Sequence, residues 1–177
     1  MSRPPEILLD GPALDRLLAE LAARVAAETD PLPSLALVGL PTRGVTIATR
    51  LAHRIEAASG FRPPVGQIDV TFHRDDLDRR LPIPHRSEIP FDAAGRHILL
   101  VDDVLFTGRT VRAALSALGD FGRPASIRLL ALVDRGHRQL PIQGDFIGKK
   151  IETALEDDVV VRLSEVDGAD AVERHRP

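Results

Sequence analysis

Apolar residues recur along this chain in two alternating rhythms. Pro5–Leu9 is a short apolar run, after which Asp10, Gly11 and Pro12 mark a helix start, proline being tolerated in a first helical turn. Leu14, Leu17, Leu18, Leu21 and Val25 fall at helical spacing and predict one apolar stripe able to pack on a sheet, ending near Thr29–Pro33. Leu35–Val38 is wholly apolar and closed by Gly39, the pattern of a strand buried on both faces of a parallel sheet. Gly44–Ala58 returns to the helical period through Val45, Ile47, Ala48, Leu51, Ala52 and Ile55, and Gly60 ends it. Val65–Phe72 predicts a strand, His97–Val101 and Ile127–Val133 two more, with a helix over Val111–Leu118.

Strand and helix thus alternate, which implies an α/β fold: a mostly parallel central sheet with helices on both faces and ligands beyond the carboxyl ends of the strands. One stretch breaks the pattern. HRDDLDRRLPIPHRSEIP is polar, interrupted by proline and without period, so about 72–90 is expected to be a long arm. Loops of that length in a compact domain are active-site lids or plain surface hairpins, and both readings stand at this point.

Composition narrows the class. A chain of 177 residues suits one domain, and 44% hydrophobic with 28% charged residues is ordinary for a globular protein. No run approaches the ~18 apolar residues of a membrane span, and MSRPPEILLDGP lacks a long apolar stretch, so the expected location is cytoplasmic. Cysteine is absent, which excludes disulfides and thiolate catalysis. A net charge of −3, no tyrosine or tryptophan and only 6 phenylalanines leave few platforms for stacked bases, without excluding a basic face.

Four segments stand at predicted strand ends and would meet on one rim: LPTRG, HRDD, DDVLFTGRT and DRGHR. In the third, a glycine and two threonines precede a helix, so backbone amides, hydroxyls and the helix dipole converge on an anion. Asp102 and Asp103 end an apolar strand, a costly place for carboxylates unless they meet hydroxyls, water or a metal. A sugar phosphate offers both groups a few ångströms apart. A receiver-type magnesium site or a simple helix cap would use the same residues, whereas the GK[ST] ending of a Walker loop is absent.

ILLVDDVLFTGRT resembles the phosphoribosyl-pyrophosphate motif of type I phosphoribosyltransferases. Together with VGLPTRG, DVTFHRDDL, GRPASI, LVDRGHRQLPI and DFIGKKI, in this order, it resembles the bifunctional pyrimidine operon regulatory protein and uracil phosphoribosyltransferase family, over nearly the whole chain. The resemblance implies a three-layer phosphoribosyltransferase fold as a single domain, with a small hood from the N-terminal segment and about 134–158. It also implies that Asp102 and Asp103 contact the ribose hydroxyls and a magnesium shell, beside Val104, Leu105 and Phe106. Thr107, Gly108, Arg109 and Thr110 would cradle the 5-phosphate, and Thr42 and Arg43 would bind pyrophosphate. Arg74, on the arm, would close over the substrate and neutralise the departing pyrophosphate. Arg135, Phe146, Ile147 and Val159 would form the hood over uracil, largely through backbone groups. The implied reaction is uracil plus phosphoribosyl pyrophosphate to uridine monophosphate (UMP) plus pyrophosphate.

Many relatives in the superfamily place a carboxylate just before the Thr-Gly of this motif, where it serves a purine; here that residue is Phe106. Asp134 is a candidate substitute base, a surface aspartate the alternative. Pro41 precedes Thr-Arg-Gly, a position the family seldom gives to proline and one next to a characteristic cis bond, so a cis Leu40–Pro41 bond is expected. The family also implies uridine-nucleotide-dependent binding of pyrimidine operon leader mRNA, through Thr42, Arg135, His137 and Arg138, and a homo-oligomer. Gln143 stands where the family often has arginine, and Glu152, Thr153 and Ala154 where it often has Pro-Thr-Ser; both changes reduce positive charge, which would weaken RNA contacts steeply with salt.

Overall fold

The computed structural model describes residues 4–70 and 86–177. Its elements are β1 (Glu6–Leu9), α1 (Gly11–Ala27), β2 (Leu35–Gly39), α2 (Arg43–Ser59), β3 (Val65–Gln67), β4 (His97–Leu105), α3 (Arg109–Leu118), β5 (Ser126–Asp134), β6 (Phe146–Lys150), β7 (Asp158–Arg162), α4 (Ser164–Asp167) and β8 (Ala171–His175). Asp10 caps α1 by accepting a hydrogen bond from the Ala13 amide at 2.9 Å, which meets one of the donors a helix start leaves over. Gly60, left-handed at φ 73°, ends α2.

A parallel sheet in the order β3-β2-β4-β5-β6 carries the fold. The apolar stripes of α1 and α2 cover one face, packing Leu14, Leu18, Leu21, Ile47 and Leu51 against Leu35, Leu37, Leu99 and Val101. Val111, Ala114 and Leu118 of α3 cover the other, against Ala36, Val38, Ile98 and Leu100. These three layers are the expected architecture, and each fully buried leucine or isoleucine contributes about 2 kcal/mol. A second, small antiparallel sheet in the order β1-β8-β7 ties the N-terminal strand to the C-terminal end of the chain.

Three differences from the sequence reading have physical causes. First, β4 runs through Asp102 to Leu105 because β5 continues beside it, pairing Asp102 with Ala131 and Leu105 with Asp134; the acids lie within the strand, not after it. Second, β3 stops at Gln67, opposite Gly39, because β2 ends there and offers no further ladder; the expected strand beyond Val70 lies outside the described residues. Third, Phe146–Lys150, expected in the hood, is the edge strand of the main sheet, pairing with Leu130–Asp134.

The turn into α2 is fixed by two close approaches. A Cβ on Gly39 would lie 2.4 Å from Val45 Cα, and one on Gly44 would lie 2.5 Å from the Val101 carbonyl oxygen, so only glycine lets α2 start this close to β2 and β4. The cis bond is not Leu40–Pro41 as expected but Pro41–Thr42, alongside a cis Asp30–Pro31. Leu40 is still held by the sheet, its amide donating to Val101 at 2.9 Å and its side chain buried, so the chain reverses only after Pro41.

Candidate functional site

Beyond the carboxyl ends of β2, β4 and β5 lies a cleft of about 500 Å³. Every residue from Asp102 to Thr110 lines it, joined by Leu40, Pro41, Asp69, Val70, Arg135, Gln139, Asp158 and Val159. Strand β4 delivers the acids: Asp102 is buried and its Oδ1 accepts from the Asp103 amide at 3.0 Å, while Asp103 Oδ1 accepts from the Val104 amide at 2.9 Å. The next turn passes through Gly108 at φ 91°, a left-handed conformation, and a Cβ there would lie 3.0 Å from Ile142. Thr107 Oγ1 accepts from the Arg109 amide at 3.3 Å and the Arg112 amide returns to the Gly108 carbonyl at 3.0 Å. Helix geometry leaves the first-turn amides of Thr110 and Val111 over, at the positive end of α3. Acids, hydroxyls and amides therefore meet on one wall, as a sugar phosphate requires.

The opposite end of the cleft belongs to the segment after β5. Arg135 is only 5% exposed, lies 4.1 Å over the Phe106 ring, and donates from Nη2 to the carbonyls of Ala154 and Leu155, while its Nε has no hydrogen-bond partner. Burial lowers its guanidinium from the ordinary value, with Asp158 and Asp157 pulling the other way. His137 meets Phe106 edge-on at 6.0 Å and its Nε2 lies 2.7 Å from the Thr153 carbonyl. Arg138 donates to Asp134 Oδ2 at 2.6 Å, to the Phe106 carbonyl at 2.7 Å and to the Ile142 carbonyl at 3.1 Å.

These contacts alter two expectations. Asp134 is neither a surface aspartate nor an available base: burial pushes its carboxyl up, but the hydrogen bonds from Arg138 and from the Gly136 amide outweigh this and hold it below the usual carboxylate range. Of the basic face expected of Arg135, His137 and Arg138, only His137 is exposed: Arg135 is buried, and Arg138 donates to Asp134 and the Phe106 carbonyl. Among the uracil candidates, Arg135 and Val159 line the cleft. Phe146 does not; it is fully buried in the core, its ring flanked by Arg128 at 4.8 Å and Arg24 at 5.5 Å, and Ile147 beside it packs into the other core cluster.

Thr42 is exposed at the start of α2 beside the cleft-lining Pro41. Arg43 follows it and reaches away to Asp167 of α4 in a bidentate pair, with Nη2 and Nε at 2.7 and 3.1 Å. Arg74 and most of the expected arm lie outside the described residues; the arm's end returns at Glu88, which pairs with Gln67. Sequence reasoning missed Asp69, Gln139 and Asp158, all cleft residues. DVTFHRDDL held Asp69 in view and LVDRGHRQLPI held Gln139, whereas Asp158 carries no local signal, because only the fold brings it to the cleft.

Among the described residues no group of three or more histidines or acids can hold a metal by itself. Two adjacent carboxylates beside a phosphate turn nevertheless fit magnesium, a hard ion that is held by one or two protein carboxylates together with substrate oxygens and water. No helix among the described residues is long and apolar enough to cross a membrane.

Comparison with known proteins agrees with this geometry. The phosphoribosyl transferase domain family matches residues 5–166. The chain is 50% identical to the bifunctional protein PyrR of Picosynechococcus sp. over 167 residues, 94% of each chain, and 52% identical to that of Nostoc punctiforme over the same share. A hypoxanthine phosphoribosyltransferase from Staphylococcus aureus, 20% identical, superposes with a TM-score of 0.74 over 97% of this chain and 93% of that one, a likeness of fold. A parallel sheet ending in paired aspartates and a glycine-centred anion turn, matched by relatives at half identity, places this chain in the phosphoribosyltransferase family and, within it, among the bifunctional PyrR proteins.

Proposed function

We propose that this protein is a uracil phosphoribosyltransferase that also regulates a pyrimidine operon by binding its leader mRNA in a uridine-nucleotide-dependent way. The observation that carries the enzymatic half is the unbroken lining of the cleft by residues 102–110, which sets two acids one turn from an anion site. The regulatory half rests on the likeness to PyrR proteins along 94% of the chain.

In this reading Thr107, Gly108, Arg109 and Thr110 hold the 5-phosphate, and Asp102 and Asp103 orient the ribose hydroxyls. The bond from C1 to pyrophosphate breaks as uracil N1 forms its bond to C1, and N1 releases its proton. Magnesium, when bound, supplies positive charge to the departing pyrophosphate. Arg43 and Thr42 serve the pyrophosphate end, with Arg74 of the arm closing the site, and water exclusion protects a cationic sugar centre. Catalysis is then mainly positioning and electrostatics. Arg135 and Val159 face the base. Phe106 stands where purine-specific relatives place a carboxylate, and the guanidinium over its ring leaves an apolar and cationic surface there, which favours uracil over guanine or hypoxanthine. The protein works in the cytoplasm as a homo-oligomer. Its RNA surface includes Thr42 and His137, which are exposed, while Arg135 and Arg138 support it from within.

The test is UMP formation from uracil, phosphoribosyl pyrophosphate and magnesium, with guanine as a rival, in the parent and in Asp102→Asn plus Asp103→Asn. Turnover with uracil alone, lowered at least about 100-fold in the double variant, is expected. Turnover with guanine instead would overturn the base assignment. Absence of turnover with retained UMP and RNA binding would leave a nucleotide-sensing regulator.

A further inference from the structure

The Arg43–Asp167 pair is not explained by the need to hold the fold together. Helix α4 sits between β7 and β8 and is already tied to α2 by Arg50, which donates to both Asp170 oxygens at 2.7 and 2.8 Å, to Glu165 at 2.8 and 2.5 Å, and to Ser164 at 3.0 Å. Arg43 lies two helical turns nearer the cleft on the same helix and engages Asp167 alone. Asp167 is 10% exposed in its side chain and is itself locked, its Oδ2 accepting from the Leu163 amide at 2.9 Å. The Arg43 guanidinium holds the Asp167 carboxyl below the usual carboxylate range, so the pair is charged at neutral pH.

The mode of contact matters. Asp167 engages the side of the guanidinium formed by Nε and Nη2, which leaves the Nη1 edge for a second anion. Arg43 is two residues along the chain from Pro41, which lines the cleft together with Asp103. We infer that Asp167 is a positioning residue for the phosphoribosyl donor: it holds Arg43 side-on, so that the Nη1 edge is oriented in advance toward pyrophosphate at the Pro41–Thr42 loop. The inference rests on the proposed transferase reading. It adds that the donor end and the base end share one part, because α4 follows directly on β7, whose Val159 lines the cleft. A flexible arginine fixed beforehand binds an anion without losing its rotamer freedom at that moment.

Calorimetric binding of phosphoribosyl pyrophosphate with magnesium, together with KM for each substrate and kcat, tests this in the parent, Asp167→Ala, Asp167→Asn and Glu165→Gln. Asp167→Ala should weaken donor binding and raise donor KM about tenfold, with uracil KM close to the parent, and should also lower the thermal midpoint because the Leu163 amide loses its acceptor. Asp167→Asn, which retains one acceptor oxygen, should fall between, and it carries the test if the alanine variant fails to fold. Glu165→Gln, which loosens α4 without touching Arg43, should match the parent. Unchanged donor affinity in Asp167→Ala and Asp167→Asn overturns the inference, as does an equal rise in both KM values, which marks a merely structural pair. A parent that binds no phosphoribosyl pyrophosphate overturns the transferase reading and this inference with it.

Discussion

Strands β4 and β5 lie side by side, and each carries an acid near its carboxyl end and a glycine at positive φ in the segment beyond it, 91° at Gly108 and 76° at Gly136. In sequence the two ends look alike, DDVLFTGRT and DRGHR. In the fold they do opposite things. After β4 the chain enters α3, so amides and hydroxyls remain to face the cleft. After β5 no helix follows, and the segment spends its donors on its neighbour: the Arg135 amide on Leu105, the Gln139 and Leu140 amides on Thr107, and Arg138 on Phe106. One end is left open to the cleft, and the other braces it. The lesson is that an acid, a glycine and an arginine in sequence mark a strand end, while what becomes of their polar groups decides between site and scaffold.

Removing the brace should have the largest effect. Arg138→Ala leaves Asp134 buried without its cation and the Phe106 carbonyl unmet, an expected loss of about 3 kcal/mol in urea unfolding, with weaker phosphoribosyl pyrophosphate binding as the turn loosens. If stability falls and donor binding does not, the segment after β5 is scaffold for the sheet only. Gly108→Ala attacks the binding end directly. A side chain at φ 91° costs about 1–2 kcal/mol and crowds Ile142, so donor affinity should drop at least tenfold, more than stability alone explains.

Acid titration tests the ion pairs that brace the fold. Asp134 is ionised in the fold and held below its ordinary value, so the folded protein binds fewer protons than the unfolded chain as pH falls. Its contribution is complete above about pH 4 and declines as pH drops through the depressed folded value. Asp170, held by Arg50 and pushed down to about 2, behaves the same way between about pH 4 and 2. Asp134→Asn and Asp170→Asn should each lower the unfolding free energy at neutral pH and flatten its fall with acid, leaving its slope between neutral pH and about pH 9 unchanged. The smallest effect is expected at the bridge between the ends. Gln139→Ala removes an exposed 3.0 Å contact with Arg109 Nε and should shift stability by no more than about 0.5 kcal/mol, which thermal unfolding can check.

Much of this was legible in advance because its signals are local. Apolar runs bounded by glycine gave β2, β4 and β5, helical stripes gave α1, α2 and α3, and the Thr-Gly-Arg-Thr turn marked an anion site from its own residues. Short elements at the end of the chain were not legible: DVVVR and AVERH are five-residue segments whose strand character comes from pairing with each other and with the distant Glu6–Leu9. The side chain of Phe146 lies in the core because its place on an edge strand sets the ring beside Arg24 and Arg128, which the sequence around it does not reveal.

The amino-acid order by itself determined the layered α/β architecture, the rim of strand ends and the acid-and-phosphate turn, because hydrophobic period, glycine and capping residues act over a few positions of chain. Tertiary structure alone decided that Asp134 is paired with Arg138, that Arg135 and Arg138 turn inward, and that Arg43 meets an aspartate 124 residues away. Those outcomes depend on which polar groups become buried together, and an ion pair formed across the fold leaves no trace in the spacing of its residues.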